Sequence, residues 1–321
     1  MRNNIPQIVR VAELYFERNL SQKEIAAIIG TSRPRVSRLL ADARRMGIVE
    51  IKINRPIEKL AELSETLRTQ FKLRDAIVVE SGETYLDSVR NVGATAAELL
   101  SSVLGNNMTI GMTWGQTLYH MVKALAKIPL EGIEVVQMLG ALGEGDSHID
   151  GPELALRLAE KLDGSYRYVH APAVVKTTEM KHMLLQQPQI KATLQKAANA
   201  DIMLQGIGSL ADEMSSLARA GYLDEEERNA CLEAGAVGHL MARMIDMNGQ
   251  QIGSYNERVI AIPAEALRLP EYSIGICASR QKAKPALGAI RGQYINVLVT
   301  ERRCAEALIE LQEDVSIRTQ V

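Results

Sequence analysis

Apolar positions along this chain recur mostly at helical spacing up to residue 71, and from Arg74 the texture changes. Ile8, Val11, Ala12 and Tyr15 fall at steps of three and four, which predicts a helix over 5–19, with Phe16 and Leu20 adding to its apolar side. Ile25, Ala26 and Ile29 come next at helical spacing, and Val36, Leu39, Leu40 and Ala43 repeat it at i, i+3, i+4 and i+7. Over 48–54 the pattern becomes alternation, with Val49, Ile51 and Ile53 between Ile48, Glu50 and Lys52. That predicts a strand, read as a short wing, closed by Pro56. Ile57, Leu60, Ala61, Leu63, Leu67 and Phe71 then predict an amphipathic helix over 57–71, whose apolar side docks on the C-terminal body or pairs with a second copy.

From Arg74 short apolar runs alternate with helical stretches. Strands are predicted at 76–80, 108–112, 133–139, 166–169, 201–207, 272–278 and 294–300. Helices are predicted at 86–104, 115–127, near 152–162, 178–197 and 224–245, at 280–290, and from 300 to about 312. Such alternation implies a mostly parallel sheet covered on both faces. The expected fold class is therefore α/β: a helix-turn-helix (winged-helix-like) head at 1–55, a linker helix at 56–73, and a mostly parallel doubly wound α/β domain at 74–321.

The chemistry of the head is local. Ser21 followed by Glu24 fits a capping box. Gly30 suits a helix end, where a positive φ costs other residues energy. Thr31 and Ser32 can both cap the next helix, and Pro34 falls in its first turn. Opposite the apolar face of that helix stand Arg33, Arg35, Ser37, Arg38, Arg44 and Arg45, a layout that suits a DNA major groove. Ser32, Arg33, Arg35, Ser37 and Arg38 are the candidate base and phosphate contacts, and Gln22 a candidate phosphate contact. A solvated basic hairpin is the plainer alternative. Tyr15 could reach a phosphate, but core packing is the role expected of it.

Charge separates the two parts. Residues 1–55 hold eleven Lys/Arg against five Asp/Glu, which leaves 26 against 34 for the remainder of a chain of net charge −2. A basic head on an acidic body fits a DNA module joined to a domain with another task. The three cysteines, Cys231, Cys277 and Cys304, are widely separated, with no metal spacing and no disulfide framework, as expected in a reducing cytoplasm. No signal-peptide core and no membrane-length apolar run is present. His120, His148, His170, His182 and His239 are scattered, and no nucleophile–base or paired-carboxylate motif appears. Neither a catalytic residue nor a cofactor or metal is expected.

One strand-to-helix turn carries candidate binding chemistry. Residues 111–117 read Gly-Met-Thr-Trp-Gly-Gln-Thr, so glycines, the hydroxyls of Thr113 and Thr117, and a helix N-terminus meet. This is a phosphate cradle or merely a tight turn. Gly140 and Gly143, Gly206 and Gly208, and Gly235 and Gly238 are further glycine clusters read as strand ends, or as ordinary αβ turns. They form a pocket if their loops converge. Lys282 opens a late helix, either as a cation for an anionic ligand or as a surface lysine.

These stretches, in their order and spacing, resemble the SorC family of bacterial sugar-binding transcriptional regulators over nearly the whole chain. The resemblance rests on LSQKEIAAIIGTSRPRVSRLL at 20–40, IGMTWGQTL at 110–118, VVQMLGALG at 135–143 and HAPAVV at 170–175. It continues through ADIMLQGIGSL at 200–210, GAVGHLMARMIDMNG at 235–249 and QKAKPALGAIRGQYINVLVTE at 281–301. It implies a DNA-binding head and an effector domain similar to sugar-phosphate isomerases and deaminases. It also implies a phosphorylated sugar or polyol as effector, and a homo-oligomer, commonly a tetramer, whose affinity for double-stranded operator DNA changes with effector. Carried over by motif, Gly111, Thr113, Gly115 and Thr117 hold the phosphate, Lys282 assists, and Asn256 and Arg258 build another part of the wall. Where the family often has an acidic residue after GAVG, this chain has His239, which points to a changed ligand or to packing against its own helix. Asp246, further along, reads as structural.

The main expectation is a metabolite-responsive transcription factor acting on a carbohydrate or polyol operon. A sugar-phosphate isomerase or deaminase with a fused head is the enzyme alternative, since fold does not give function. An architectural DNA binder without ligand is the third.

Overall fold

The computed structural model describes residues 5–49, 56–143, 149–211 and 214–318. The chain forms two compact units, Met1–Pro56 and Ile57–Val321.

In the first unit, α1 (Ile5–Ala12) runs into one π turn, Glu13–Glu17, and α2 (Gln22–Ile28) and α3 (Arg33–Arg45) complete a three-helix head. Ile8, Val11, Leu14, Ile25, Val36, Leu39, Leu40 and Ala43 form its core, with Tyr15 and Phe16 packed against it. Sequence sets both ends of α2. Ser21 Oγ accepts from Glu24 N at 3.3 Å while Glu24 Oε2 accepts from Ser21 N at 2.8 Å. Gly30 takes φ +67° between the helices. Ile48 and Val49 fold back so that both their N–H groups reach Ala43 O, at 2.9 and 3.2 Å. The rest of the strand expected at 48–54 lies outside the described residues.

The second unit is built on a seven-stranded sheet: β1 (Asp75–Val79), β2 (Thr109–Met112), β3 (Glu134–Ala141), β4 (Ser165–Pro172), β5 (Ile202–Gly206), β9 (Tyr272–Ile276) and β10 (Val297–Glu301). Their order is β1-β10-β9-β5-β2-β3-β4, and every pairing is parallel. The central strands are buried along their length, as a sheet with both faces covered requires. Its helices are α4 (Ala61–Gln70), α5 (Tyr85–Val103), α6 (Gln116–Ala124), α7 (Gly151–Leu162), α8 (Thr178–Leu185), α9 (Pro188–Ala198), α10 (Ser216–Arg219), α11 (Glu225–Glu233), α12 (Ala283–Arg291) and α13 (Arg302–Arg318).

The apolar side of the segment around α4 docks on this unit, with Leu67 buried and Ile57, Leu60, Leu63 and Phe71 packed on the core. Just before α4, Leu60 N donates to Val78 O and Glu80 N to Glu58 O, both at 2.8 Å. The segment thus covers the edge of β1, where an open ladder would invite other chains.

Two sequence expectations are corrected. The helix expected over 178–197 is two helices, α8 and α9, because Pro188 has no N–H to donate. The helix expected over 224–245 ends at Glu233. Gly235 takes φ +95°, and the chain enters a hairpin of β7 (Gly238–Leu240) and β8 (Arg243–Ile245), joined to the two-residue β6 (Gly208–Ser209). Gly238 permits this pairing, since a Cβ there would lie 2.5 Å from Gly208 O and 2.4 Å from Pro285 Cβ. Met241 and Ala242, the two turn residues, both take positive φ, 47° and 61°. Tight hairpins favour that conformation, but side chains other than Gly or Asn resist it at about 1–2 kcal/mol each.

Among the described residues, no helix is long and apolar enough to cross a membrane, and no group of three His, Cys, Asp or Glu could hold a metal. Cys231, Cys277 and Cys304 are free and buried.

Candidate effector site and DNA interface

Topology opens a crevice at one place. From β2 the chain proceeds to β3 and β4 on one side; from β5 it proceeds to β9 and β10 on the other. The carboxyl ends of β2 and β5 therefore diverge in connection, where ligands of open α/β sheets bind. Thr113 ties the two ends together: its N–H donates to Leu204 O at 3.0 Å and its Oγ1 accepts from Gly206 N at 3.1 Å.

A cleft lies there, with an empty volume of about 570 Å³ counting its open mouth. One wall is the turn into α6: Thr113, Trp114, Gly115, Gln116 and Thr117. Gly115 is the N-cap, at φ +130°, and no side chain caps the helix. The first N–H groups of α6 are thus left for a ligand, together with the positive end of its dipole. The Trp114 indole N–H donates to Gly140 O at 3.1 Å and fixes the ring in this wall.

The lining also includes Gly206, Ile207 and Gly208, His239, Met241 and Ala242 of the hairpin, Lys282 and Tyr85. His239 packs on the bare Cα of Gly208, where a Cβ would lie 2.0 Å from the ring. The imidazole is buried, and neither ring nitrogen has a hydrogen-bond partner. Burial, with the nearby Lys282 ammonium adding to it, pushes the His239 pKa down to about 3. The ring is therefore neutral, with one donor and one acceptor unsatisfied. Lys282 is also buried, at 8% exposure. No carboxylate is among the cleft-lining residues described; the charged ones are Arg219 and Lys282.

Of the effector residues expected from sequence, Thr113, Gly115, Thr117, His239 and Lys282 meet in this cleft. Gly111, Asn256 and Arg258 do not. Gly111 is inside β2, where a Cβ would lie 2.9 Å from Met138 Sδ, so its smallness serves packing. The Asn256 side chain acts as a substitute strand for β8: Oδ1 accepts from Met244 N at 2.7 Å and Nδ2 donates to Met244 O at 2.9 Å. Arg258 pairs with Glu227 and lies over the Tyr255 ring, 5.0 Å from its centroid. Trp114, Met241 and Ala242 were missed. Trp114 stands inside the turn singled out from sequence; Met241 and Ala242 carry no turn signal, because neither is a residue that favours positive φ.

In the head, the buried face of α3 is Val36, Leu39, Leu40 and Ala43, while Arg33, Arg35, Ser37 and Arg38 are all exposed. Arg44 leans over Phe16 at 5.8 Å and Arg45 pairs with Asp42, so these two are engaged within the head. Ser32 is the N-cap of α3, but its hydroxyl caps nothing. Gln22 is half-buried at the start of α2.

Residues 55–310 match the family model described as "Putative sugar-binding domain", and residues 7–65 match the Crp-like helix-turn-helix domain. The chain is 31% identical over 303 residues to the deoxyribonucleoside regulator of Bacillus subtilis, covering 94% of this chain and 96% of that protein. It is 30% identical over 320 residues to the sorbitol operon regulator of Klebsiella pneumoniae, covering 96% and 99%. The crystal structure of that full-length regulator, SorC, superposes with a TM-score of 0.72 at the same coverage. These relatives are regulators rather than enzymes, and this chain is one as well. The chain belongs to the SorC family of sugar-binding transcriptional regulators.

Proposed function

We propose that this protein controls a carbohydrate or polyol operon by binding operator DNA through α3, and that a phosphorylated sugar in the β2–β5 cleft changes that affinity. The observation that carries the effector reading is the uncapped N-terminus of α6, facing a cleft whose described charged residues are cationic. A phosphate on the first N–H groups of α6, with the Thr113 and Thr117 hydroxyls beside it, meets the dipole and needs no rearrangement of β2. His239 and Lys282 hold the other side of the ligand. The names of the relatives, a deoxyribonucleoside regulator and a sorbitol operon regulator, agree with a small sugar or polyol derivative.

On the DNA side, Arg33, Arg35, Ser37 and Arg38 read bases and phosphates, with the free hydroxyl of Ser32 and the amide of Gln22 on the backbone. The protein works in the cytoplasm as a homo-oligomer, most simply a tetramer, because paired heads on paired half-sites give the discrimination one head lacks. Ligand biases the arrangement of heads only by the difference in its affinity for the two arrangements.

The test is a thermal-shift screen of the purified chain against phosphorylated and free sugars and polyols, followed by operator binding with and without each hit. A ligand that binds only the native state raises its melting point. A phosphorylated hit that also changes operator affinity supports the proposal. Hits confined to free sugars remove the phosphate role from α6, and sustained turnover of a sugar phosphate would overturn the reading as a regulator.

A further inference from the structure

Two of the three cysteines, 27 positions apart in the chain, meet in the core. Cys277 follows β9, Cys304 lies in the first turn of α13, and their Sγ atoms are 3.9 Å apart. Both are buried, and neither is among the residues that line the effector cleft. A buried cysteine is commonly an inert apolar filler. This pair is divided into unlike partners instead. The hydrogen bond from Cys304, with the nearby Lys282 charge adding to it against the cost of burial, draws the Cys277 pKa below its ordinary value. The same bond, with burial, pushes Cys304 up. One sulfur is thus the better nucleophile and the other keeps its proton.

The backbone around the pair is tied to a turn that leads into the cleft. Cys277 N–H donates to Val299 O at 3.1 Å, and the Thr300 hydroxyl donates to Cys277 O at 2.9 Å, so Cys277 is pinned to β10. One oxygen of the buried Glu301, Oε1, accepts from both Ser279 N and Cys304 N, each at 3.2 Å. Ser279 takes φ +100°, a conformation that side chains resist, and its bond to Glu301 helps to hold it there. Ser279 O in turn accepts from Lys282 N at 3.0 Å, and Lys282 lines the cleft. A disulfide needs its sulfurs about 2 Å apart. Because Cys277 is pinned, closing that gap draws on the first turn of α13, and with it on the carboxylate oxygen that Ser279 and Cys304 share.

We propose that Cys277 and Cys304 are a redox-sensitive dithiol, which a hydroperoxide closes into an intramolecular disulfide, and that the closed form loosens the turn at 279–282 and weakens effector binding. Only the last step rests on the proposed effector reading. The Cys277 thiolate attacks the peroxide and the O–O bond breaks. Water or an alcohol leaves with the thiol proton, and Cys277 becomes a sulfenic acid. The Cys304 sulfur then attacks that sulfur, the S–O bond breaks, and water leaves with the Cys304 proton. Two thiols are oxidised and one hydroperoxide is reduced, by two electrons. Burial favours a water-sized oxidant over a bulky one such as oxidised glutathione. A transient, regulatory disulfide is the kind that a reducing cytoplasm permits.

The test treats the reduced full-length protein with hydrogen peroxide, alkylates the remaining thiols in denaturant and maps the peptides by mass spectrometry. A Cys277–Cys304 linkage is expected, reversed by dithiothreitol. It forms equally in Cys231→Ser and is absent from Cys277→Ser and Cys304→Ser. In Cys304→Ser a cyclic 1,3-diketone traps the Cys277 sulfenic acid. Hydrogen exchange at the Ser279 and Lys282 amides rises about tenfold in the disulfide form, while exchange in the head does not change. Trp114, the one tryptophan of the chain, lines the cleft, so its fluorescence reads the binding of ribose 5-phosphate, fructose 6-phosphate and inorganic phosphate. The disulfide form binds at least one of these about tenfold more weakly than the reduced form, and dithiothreitol restores the affinity. Peroxide leaves the affinity of Cys277→Ser and Cys304→Ser unchanged. If the two thiols react only after unfolding in urea, or oxidise without linking, the dithiol is refuted. A disulfide that changes neither the turn amides nor the affinity refutes the switch. If no phosphorylated compound binds the reduced protein, the proposed function falls by itself, and exchange at Ser279 and Lys282 still decides whether the disulfide works the turn.

Discussion

The recognition helix and the effector cleft both present polar side chains without partners among the described residues, and the two cases mean different things. Arg33, Arg35 and Arg38 stand in solvent, where a guanidinium keeps its hydration and an absent partner costs nothing. Their significance comes from arrangement: they share the exposed face of a helix that begins at an unfilled cap. The two ring nitrogens of His239 have lost their hydration and gained no partner among the described residues. Their significance comes from energy, since folding retains them against a desolvation cost. A DNA surface can wait for its ligand at no expense in stability; a buried pocket cannot. The head should therefore tolerate loss of its functional side chains without change in stability, while substitutions in the cleft should change stability and binding together.

The largest effect expected comes from placing one methyl group in each region. Gly238→Ala puts a Cβ against Pro285 and the Gly208 carbonyl, neither of which can swing away. A loss of about 3 kcal/mol or more is expected in urea unfolding, with loss of ligand response because the hairpin carries His239. Gly30→Ala meets nothing within 4 Å and pays only for its φ of +67°, about 1–2 kcal/mol. If Gly30→Ala proves the costlier of the two, the view of the cleft as the strained region is wrong.

Next comes Arg38→Ala. Operator affinity should fall by about 1–3 kcal/mol, with relaxed preference at one base position if Arg38 reads a base. If it holds a phosphate, binding to all sequences weakens and the salt slope drops by about one. Fluorescence anisotropy over a series of salt concentrations separates these. In either case urea unfolding should stay within about 0.5 kcal/mol of wild type. Unchanged operator binding would show that DNA lies elsewhere than on the exposed face of α3.

Legibility from sequence divides along the same line. The face of α3 was legible because a helix repeats every 3.6 residues, so burial and exposure derive from spacing alone. The α6 side of the cleft was legible because a strand, a glycine turn and a helix lie within a few residues. The His239 side was not. The run after Gly238, His-Leu-Met-Ala-Arg-Met-Ile, is nearly all apolar, and such a run does not distinguish helix from strand. Its turn uses Met241 and Ala242 where sequence rules look for Gly or Asn. The bond from Gly206 N to Thr113 joins positions 93 apart and has no local signal. Resemblance supplied Asn256 and Arg258, yet Asn256 holds the backbone of β8 and Arg258 pairs with Glu227.

A smaller effect should appear in acid. His239 has a folded pKa of about 3 against 6.5 in the unfolded chain. Between those values the unfolded state binds the extra proton, so stability falls as pH falls, by about 1.4 kcal/mol per unit once well below 6.5. From pH 7 to pH 5 this amounts to about 2 kcal/mol. His120, half-buried and shifted the same way, adds to the slope, so the contribution of His239 is the difference between wild type and His239→Asn. Residues 1–56 contain no histidine, and the opening free energies of the head, from hydrogen exchange corrected for the intrinsic rate at each pH, should be flat over this range by comparison. A His239→Asn protein with the wild-type slope would mean that the imidazole is not held neutral by burial.

The smallest effect separates two serines that sequence treats alike. Ser21 and Ser32 are the N-caps of α2 and α3. Ser21 is engaged: its hydroxyl accepts from Glu24 N and its own N–H donates to the Glu24 carboxylate. Ser32 makes no side-chain cap bond. Ser21→Ala should therefore cost the head about 1 kcal/mol, seen as faster hydrogen exchange in α2, with operator affinity falling only as far as the head frays. Ser32→Ala should leave exchange in α3 within error, since the hydroxyl makes no cap bond, and should weaken operator binding at low salt if it contacts the DNA backbone as proposed. If Ser32→Ala loosens α3 without touching DNA affinity, then that hydroxyl caps the helix in solution, and the division between groups that hold the head and groups that wait for DNA does not run through its two helix starts.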